Sequence, residues 1–308
     1  MKLTNKLVIE KAKELGFDLV GFSRAEQLVD ESVQLKKWID SGYNSKMSYM
    51  ERNFEKRFDV STILPNAKSV ISLGLNYYSE EKHNEEKGLG KISRYAWGKD
   101  YHLIIWEMLE ILEEEFLEID SSFESISYVD TGPVMDKVWA IRSGIGWQGK
   151  NSNIISREMG SWFFIATIIT NFEFEYNEIK SDFCGSCTAC IEACPTNAIV
   201  EPYVIDSNKC ISYLTIENKD EINIEFKNNF QNWLFGCDIC QDVCPWNKKF
   251  ATKTSRIDFR PINKELNLAE IYALDEEKFK EEFETSPIKR AKLTGLKRNA
   301  KFIDCSGT

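Results

Sequence analysis

The sequence has few of the features that mark membrane or exported proteins. Its longest apolar run, WFFIATIIT at residues 162–170, has nine residues, far short of the roughly 20 that a membrane-spanning helix needs. The N-terminal segment MKLTNKLVIEKAKELGF has the pattern of a charged amphipathic helix. It holds neither the apolar core of a signal peptide nor a twin arginine. We therefore expect a cytoplasmic protein with no membrane partner.

Positive charge and histidine are also scarce. The chain has 39 Lys and Arg against 49 Asp and Glu, a formal net charge of −10, and 2 histidines. This balance argues against a protein that coats nucleic acid non-specifically, but it leaves room for a nucleic-acid substrate on one local basic face. The length of 308 residues is enough for two or three packed units rather than one core.

Cysteine, in contrast, is abundant and concentrated. Eight of the nine cysteines fall between residues 184 and 244, and in a reducing compartment metal binding is the better interpretation than disulfides. The run CGSCTACIEACP at 184–195 has the bacterial ferredoxin spacing, in which three thiolates bind one [4Fe–4S] cluster and the fourth binds a second cluster. The run CDICQDVCP at 237–245 lacks the first cysteine of that pattern, and Cys210 can replace it.

The eight thiols suffice for two [4Fe–4S] clusters. The first cluster would be bound by Cys184, Cys187, Cys190 and Cys244. The second would be bound by Cys194, Cys210, Cys237 and Cys240, which leaves Cys305 over. The alternative is zinc, which prefers paired C-x2-C motifs or mixed Cys and His ligands. Neither His83 nor His102 lies in this region, so the spacing favours iron–sulfur clusters.

Strand and helix patterns alternate over the first 175 residues or so. Residues 69–78 and 125–130 are rich in Val, Ile and Tyr and predict strands. The apolar run at 162–170 predicts a strand that is covered on both faces. Apolar residues at helical spacing predict a helix over 102–119. Pro133 and Gly144 suggest the start and end of a helix over 133–144.

Several residues of this front half are candidates for a site. GIGWQG at 144–149 matches G-x-G-x-x-G, but it follows a helix rather than a strand, which argues against a dinucleotide site. Asp130 ends a strand pattern and precedes a helix, so it is either an N-cap or, beside a pocket, a proton donor. Asp136 would favour the positive end of that helix. Arg57 and Arg94 are surface charges or anion and amide ligands, and spacing does not decide between these roles.

His102 begins a partial match to a cobalamin motif. Asp100-Tyr101-His102 starts the pattern D-x-H-x-x-G of proteins that supply a histidine to cobalt, but Ile105 stands in the place of the glycine. We therefore interpret His102 as an ordinary, partly buried histidine on a helix face.

Seven segments, in this order, together resemble the epoxyqueuosine reductases. They span nearly the whole chain, and VDTGP followed by GIGWQGKN is more specific than the cysteine runs. The segments are RYAWGKDYH (94–102), VDTGP (129–133), RSGIGWQGKN (142–151), CGSCTACIEACPTNAI (184–199), KCISYLTIE (209–217), GCDICQDVCPWN (236–247) and GLKRNA (295–300).

The resemblance implies an oxidoreductase that completes queuosine in tRNA. Two [4Fe–4S] clusters would pass electrons from an unidentified low-potential donor to base-off cobalamin, which would reduce epoxyqueuosine at the wobble position to queuosine. The aspartate of the VDTG motif, here Asp130, would be the proton donor, because an alkoxide is a poor leaving group at neutral pH. Ile105 in place of glycine agrees with a cofactor without a histidine ligand.

The resemblance also implies a cobalamin site and an architecture. Its motifs place cobalamin contacts at Asp130 and at Arg57, Ser93, Arg94, Ile154, Ile165, Ser212 and Tyr213. We expect an α+β monomer with a two-layer cobalamin-binding domain with a mixed sheet at 1–175. A ferredoxin-like domain with two [4Fe–4S] clusters would follow at 176–250, and a short helical extension at 251–308.

The resemblance is incomplete at the C-terminal side. Many family members carry HEAT-like helical repeats beyond GLKRN, and this chain stops shortly after that motif. A basic stretch could contact tRNA in their place or could be a solvated helix face. It consists of Lys289, Arg290, Lys292, Lys297, Arg298 and Lys301.

Two other classes of protein remain open from the residues alone. A ferredoxin-like electron carrier with a partner-binding front half would have no affinity for corrinoids. A reductive dehalogenase would share the cofactors, but such enzymes usually carry the twin-arginine signal that this N-terminus lacks.

Overall fold

A computed structural model describes residues 3–304 of the chain. Cys305, which is left over from the cluster assignment, lies outside the described residues. The helices are α1 (Asn5–Glu14), α2 (Val29–Asp40), α3 (Phe54–Phe58), α4 (Tyr101–Ile119), α5 (Asp136–Arg142), α6 (Ala189–Ala193), α7 (Ile211–Ile216), α8 (Ile239–Asp242), α9 (Pro245–Phe250), α10 (Leu268–Ala273), α11 (Glu276–Phe283) and α12 (Lys292–Asp304).

The strands form two larger sheets and two short hairpins. They are β1 (Leu19–Arg24), β2 (Ser69–Asn76), β3 (Leu89–Ile92), β4 (Ser125–Tyr128), β5 (Trp147–Gln148), β6 (Ile154–Ile155), β7 (Phe163–Thr170), β8 (Ile199–Glu201), β9 (Val204–Ile205), β10 (Trp233–Phe235) and β11 (Glu265–Asn267).

The central sheet has the strand order β1-β2-β7-β4. The strands predicted over 69–78, 125–130 and 162–170 are confirmed as β2, β4 and β7, each slightly shorter than expected. All three strand pairings in this sheet are antiparallel, so the prediction of a mixed sheet for this unit is wrong. The strands adjacent in this sheet run in opposite directions although helices and loops separate them in sequence.

Helices cover both faces of the central sheet. Alternate residues of a strand point to opposite faces, and every residue of β2 is buried. Ile71 packs in the cluster that includes α1 and α4, whereas Val70 and Ile169 pack with Trp139 of α5. The unit therefore has three layers, and the two-layer expectation is wrong. The apolar run in β7 had pointed to this arrangement, because a strand that is apolar on both faces needs a cover on each.

The helix predictions differ in accuracy. The prediction over 102–119 is confirmed as α4, whose residues Ile105, Leu109, Leu112 and Phe116 are fully buried at helical spacing. The prediction over 133–144 is too long, because α5 begins at Asp136 and ends at Arg142. Gly144 then adopts a φ of +68°, a left-handed conformation that ends the helix.

A second, three-stranded sheet joins distant parts of the chain. Its order is β10-β3-β11, with β10 parallel and β11 antiparallel to β3. Strand β3 belongs to the front segment, β10 to the cysteine-rich segment and β11 to the C-terminal segment. Ile92, Leu234 and Leu296, each fully buried, lie in one hydrophobic core. The three segments thus share a sheet and a core.

The cysteine-rich segment repeats one small unit. In each run, cysteines of a loop lead into a short helix, α6 or α8, and the last cysteine follows within two residues of the end of that helix. Pro245 then occupies the first turn of α9, where the missing backbone N–H leaves no hydrogen bond unmade. Within residues 3–304, no helix combines the length and the apolar character needed to cross a bilayer.

Candidate redox and catalytic site

The thiols assigned to the first cluster line one cavity. Cys184, Cys187, Cys190 and Cys244 surround a space of about 160 Å³, together with Phe183, Trp246 and other residues. Burial raises the pKa of the Cys190 thiol, and the charges of Cys184, Cys244 and Cys187 raise it further. These three cysteines are the partners assigned to Cys190 from the spacing.

The remaining four thiols form a second group, and each of these cysteines is half-buried. Burial raises the pKa of Cys237 well above its ordinary value, and Cys240 and Cys210 act in the same direction. Burial likewise raises the pKa of Cys240, with further contributions from Cys210, Cys190 and Cys194. The contribution of Cys190 places the two groups side by side, as electron transfer between two clusters requires.

The donor set fits [4Fe–4S] clusters better than single metal ions. In the described part of the chain, no three His, Cys, Asp or Glu side chains converge closely enough to hold one ion. Four thiolates around one zinc ion would lie about 3.8 Å apart, given a Zn–S bond of about 2.3 Å. The first group instead surrounds a cavity, and its donors are all thiols, the ligands that iron–sulfur clusters take.

The loop of the GIGWQGKN motif holds both cysteine runs in place. The ammonium group of Lys150 donates hydrogen bonds to the carbonyls of Gly185 and Cys187, at 2.7 and 3.0 Å. The amide of Asn151 donates to the carbonyl of Cys240 at 3.2 Å. Sequence reasoning missed this role, and only the position of the two residues directly after the glycine loop could have suggested it.

Ser93 and Arg94 bind Asp238, which lies between two cysteines of the second group. The Ser93 hydroxyl donates to one carboxylate oxygen. The Arg94 backbone N–H donates to the other at 2.8 Å, and the Arg94 guanidinium at 3.2 Å. Gly236 permits this approach, since a Cβ there would lie 2.4 Å from that of Ser93. Both side chains are buried, and the Arg94 Nε atom, like that of Arg57, is buried without a hydrogen-bond partner.

Asp130 lies in a loop with its carboxylate open to solvent. Helix α5 starts six residues later with Met135 as its N-cap, which excludes the N-cap role for Asp130. Its φ of +56° is left-handed, an uncommon conformation for a residue other than glycine. The Asp130 side chain is 70% exposed and accepts a hydrogen bond of 2.8 Å from the hydroxyl of Tyr101. Such a conformation recurs at functional sites.

A histidine held by an aspartate faces Asp130. The Nδ1 atom of His102 lies 2.8 Å from Asp100, and its Nε2 atom lies 4.0 Å from the Asp130 carboxylate. This Nε2 atom is buried without a hydrogen-bond partner. Burial would raise the pKa of Asp100, but hydrogen bonds from His102 and Lys289 lower it to about 2. Sequence reasoning treated His102 as ordinary and missed this arrangement.

Lys137 lies near both Asp130 and the second thiol group. Its side chain is exposed, and its ammonium group donates a hydrogen bond to the Ser152 carbonyl at 3.0 Å. Desolvation lowers the pKa of Lys137, while the charges of Asp130, Cys240 and Cys210 act in the opposite direction. The proton-donor candidate and two thiols of the second group are therefore close enough to act on the same side chain.

Arg57 and Asp136 lie close enough for the charge of each to act on the pKa of the other. Arg57 is 8% exposed and donates to the carbonyls of Val134 and Tyr49, at 3.4 and 3.2 Å. Its Nε atom is buried without a partner. Burial raises the pKa of Asp136 to about 7, with Thr167 and Arg57 acting in the opposite direction. The free Nε–H of Arg57 is a donor that a bound amide or phosphate would satisfy.

The other cobalamin candidates fall into two groups. Ile154 and Ile165 pack in one apolar cluster on the α5 side of the sheet, and Ile165 is the one residue of β7 that is not fully buried. Ser212 and Tyr213 lie in α7 directly after Cys210, and the Tyr213 hydroxyl accepts from the Lys46 backbone N–H at 3.2 Å. An apolar surface and a free guanidinium N–H suit a large flat ligand with amide side chains.

The basic C-terminal stretch is partly structural. Arg298 donates to the carbonyls of Asn218, Asp220 and Leu214, and Arg290 pairs with Glu217 at 2.8 Å. Lys292 and Lys301 are exposed. Arg290 and Arg298 therefore hold the C-terminal segment against the cysteine-rich segment rather than offering free charge.

The fold and the two thiol groups define an iron–sulfur oxidoreductase. Residues 183–247 match the family described as "4Fe-4S double cluster binding domain". Residues 57–131 match the family described as "Epoxyqueuosine reductase QueG, DUF1730".

Relatives along the whole chain identify the family. An epoxyqueuosine reductase of Leadbetterella byssophila is 47% identical over 98% of this chain and 99% of its own length. One of Pseudomonas aeruginosa is 38% identical over 93% of this chain and 81% of its own. The chain belongs to the epoxyqueuosine reductase family.

Solved structures of the family share the fold. A crystal structure of epoxyqueuosine reductase with an epoxyqueuosine-modified tRNA-Tyr stem loop has a TM-score of 0.90 at 34% identity, covering 97% of this chain and 80% of that chain. The enzyme of Streptococcus thermophilus has a TM-score of 0.90 at 29% identity, covering 99% and 82%. A Bacillus subtilis structure, with a TM-score of 0.89 at 34% identity and coverage of 97% and 80%, has its catalytic aspartate loop swung out of the active site.

Proposed function

We propose that this chain reduces epoxyqueuosine at the tRNA wobble position to queuosine, the last step of queuosine biosynthesis, with two [4Fe–4S] clusters and cobalamin. The observation that carries the proposal is that Asp130, Cys210 and Cys240 all lie close enough to Lys137 to act on its pKa. Removing an epoxide oxygen as water breaks both of its carbon–oxygen bonds and consumes electrons and protons, and this region has a candidate source of each.

The ligand sets proposed for the clusters are those deduced from the spacing. Cys184, Cys187, Cys190 and Cys244 would hold the first cluster, and Cys194, Cys210, Cys237 and Cys240 the second. The first set is supported by the shared cavity, and the second by the mutual electrostatic effects of its thiols. Lys150 and Asn151 would keep the two cysteine runs at a fixed separation.

Cobalamin would occupy the cleft between Asp130 and the second cluster in its base-off form. When bound, it supplies a cobalt centre reducing enough to open a strained epoxide. Arg57 would donate its free Nε–H to the ligand, and Ile154 and Ile165 would contact the ring. Ser212, Tyr213 and the backbone of Ser93 and Arg94 would lie on the side of the second cluster.

Asp130 would hold the proton that the departing oxygen takes up. Its carboxylate already accepts from Tyr101, and the Nε2 atom of His102 lies 4.0 Å away. His102 is therefore placed to return a proton to Asp130 after each reaction, with Asp100 fixing the imidazole through Nδ1. Protonating the leaving oxygen is needed because an alkoxide leaves slowly at neutral pH.

The proposed substrate is tRNA that carries epoxyqueuosine in its anticodon. A relative with the same fold was crystallised with such a stem loop. In this chain Lys292 and Lys301 are exposed cations of the basic stretch and are proposed to contact tRNA phosphates. We also propose a cytoplasmic monomer in which residues 1–175 bind cobalamin, 176–250 bind the clusters and 251–308 complete the shared core.

The decisive experiment is anaerobic reconstitution of the protein with iron, sulfide and cobalamin, followed by reduction in the presence of epoxyqueuosine-containing tRNA. Mass analysis of the nucleosides should show loss of one oxygen atom, and omission of cobalamin should abolish it. A protein that binds both clusters but no cobalamin would instead be an electron carrier. Full cofactor loading without loss of oxygen would contradict the proposed reaction.

A further inference from the structure

We propose that an acidic one-electron carrier protein docks on a cation-flanked aromatic strip beside the first cluster and reduces the chain there. This inference rests on the proposed function, which requires an external electron source. The strip, called the input face, consists of Arg157, Phe183, Trp246, Lys249 and Phe250. Each encounter would oxidise the carrier by one electron and reduce the first cluster by one, so two encounters supply one epoxide reduction.

The first cluster site is the outer one of the two. Its cavity is bounded by Phe183 and Trp246, and Phe183 is 39% exposed. Gly185 and Ser186, in the loop between its first two cysteines, are exposed. The second thiol group instead lies on the side of the proposed cobalamin cleft, since Cys210 and Cys240 act on the pKa of Lys137 together with Asp130. Electrons bound for the cleft would therefore enter at the first cluster.

Three aromatic rings connect this entry point to α9. The rings of Phe183 and Trp246 lie 6.0 Å apart, and those of Trp246 and Phe250 stack at 5.1 Å. The Trp246 indole N–H also donates to the Phe183 carbonyl at 3.3 Å. Aromatic residues are enriched in protein–protein interfaces because they bury large areas at low conformational cost. The strip thus offers a rigid apolar contact next to a redox centre.

A cation lies at each end of the strip. The Arg157 guanidinium lies 4.8 Å from the centre of the Phe183 ring, and the Lys249 ammonium lies 5.0 Å from that of Phe250. Both residues are exposed in a chain whose net charge is −10. Such a local excess of positive charge would attract a partner with an acidic face around its redox centre.

The nearby acids only partly offset these cations. Asp182 accepts hydrogen bonds from the Tyr203 hydroxyl at 2.5 Å and from the Cys184 backbone at 2.7 Å, which commits its carboxylate to the cluster loop. Glu158 is exposed beside Arg157. Lys150 adds a cation that binds the same cluster loop. The expected interface is small and transient, as redox encounters usually are.

The test compares two electron donors in the reconstituted enzyme. The double variant Arg157→Glu/Lys249→Glu should raise the KM for a photoreduced acidic ferredoxin by about 10-fold or more at low salt, and the difference should shrink as salt screens the charges. Turnover with reduced methyl viologen, a small cation that needs no docking face, should stay unchanged. The control variant Lys278→Glu/Lys280→Glu, with exposed lysines on α11, should behave as wild type with both donors.

Two results would overturn the input face. One is an unchanged ferredoxin KM in the double variant while viologen still drives the reaction. The other, measured on wild type alone, is a ferredoxin-supported rate that does not fall as ionic strength rises. Failure of viologen-driven turnover in wild type would instead contradict the proposed function, so the two failures are distinguishable.

Discussion

At the scale of single residues, Asp130 combines an unusual backbone with an accessible carboxylate. Its φ of +56° is better tolerated by Asn and Asp than by other residues with a side chain. Asp130→Asn therefore keeps the backbone and the hydrogen bond from Tyr101 while removing the acid. We expect unchanged cluster and cobalamin content but a loss of about 10²–10⁴ in single-turnover rate.

The measurement is single-turnover conversion of epoxyqueuosine in tRNA with excess enzyme, beside iron analysis and the cobalamin spectrum. The control is Asp59→Asn, which should leave the rate unchanged. Asp59 caps a short turn at Ser61 and lies far along the chain from the VDTG motif. Full activity of the Asp130 variant would reject the proton-donor role.

A second residue-scale prediction concerns His102 as a positioning residue. His102→Gln removes the imidazole that lies 4.0 Å from Asp130 but keeps a side chain that can bond to Asp100. We expect kcat to fall by about 10-fold, or ~1.4 kcal/mol in the barrier, with KM for tRNA unchanged. Slow reprotonation of Asp130 should also make the loss larger in multiple turnover than in single turnover.

The other histidine supplies the control. The imidazole of His83 packs against Trp97 and Trp233 and contacts the Ile92 carbonyl at 2.8 Å, within the shared core. His83→Gln should lower the melting temperature but leave the rate per folded enzyme intact. If His102→Gln raised KM and left kcat alone, His102 would serve substrate binding instead.

Residue types and spacing predicted the redox half of the site better than the acid half. The cysteine runs predict which thiols bind the clusters, because cluster binding requires cysteines at a fixed local spacing. The pairing of His102 with Asp100 is local too, yet its meaning depends on Asp130, which comes from another part of the chain. Short-range sequence patterns do not predict a contact between residues that are far apart in the chain. For the same reason they did not predict the hydrogen bond from Asn151 to the Cys240 carbonyl.

At the scale of elements, the start of α5 determines where the loop of Asp130 ends and places a half-buried acid, Asp136, in the first turn of the helix. Helix α5 begins at Asp136, whose pKa burial raises to about 7 from the ordinary value of 3.8. A group whose pKa is raised on folding stabilises the protein most below the unfolded pKa and loses that contribution as pH rises through the folded value. Relative to a neutral residue, Asp136 therefore disfavours folding increasingly as pH rises above its ordinary value of 3.8, and the cost reaches its full size above about pH 7.

Asp136→Asn should remove this dependence. We expect the melting temperature of the variant to exceed that of wild type at pH 8 and the two to converge towards pH 4, as measured on the cofactor-free protein. Asn can still accept from the Thr167 hydroxyl, which bonds to Asp136 at 2.7 Å. A constant difference between the two proteins across this range would show that Asp136 stays ionised in the folded state.

The wrong prediction of two layers shows that a short covering helix is hard to predict from sequence. The continuous apolar run in β7 correctly indicated two covered faces, but the cover for the second face, α5, has only seven residues and a weak helical pattern. Helix α5 is held against the sheet by Trp139, which packs with Val70 and Ile169 from two strands. A short helix gains its stability from such tertiary contacts rather than from its own sequence.

At the scale of the whole molecule, the front segment and the cysteine-rich segment are joined through buried charge. Arg94 is 9% exposed, and its guanidinium bonds to Asp238 and, at 2.7 Å, to Asp242. Burial raises the pKa of Asp238, and Arg94 opposes that rise. Since Asp238 lies between Cys237 and Cys240, this ion pair connects β3 and its neighbours to the second cluster loop.

Arg94→Met keeps the apolar contacts of the side chain but leaves the Asp238 carboxylate buried without its cation. Removing one partner of a buried ion pair costs about 3–5 kcal/mol, so we expect that loss in the free energy of unfolding, together with reduced iron content from the second cluster. Adding Asp238→Asn should restore part of the stability, because the Asp238 carboxylate charge is then no longer buried without a cation.

Lys99→Met is the control, since the Lys99 side chain is 56% exposed in its pair with Asp258 and should contribute no more than about 1 kcal/mol. A change as small in Arg94→Met as in Lys99→Met would mean that the shared core alone, rather than this ion pair, holds the cluster segment against the catalytic unit.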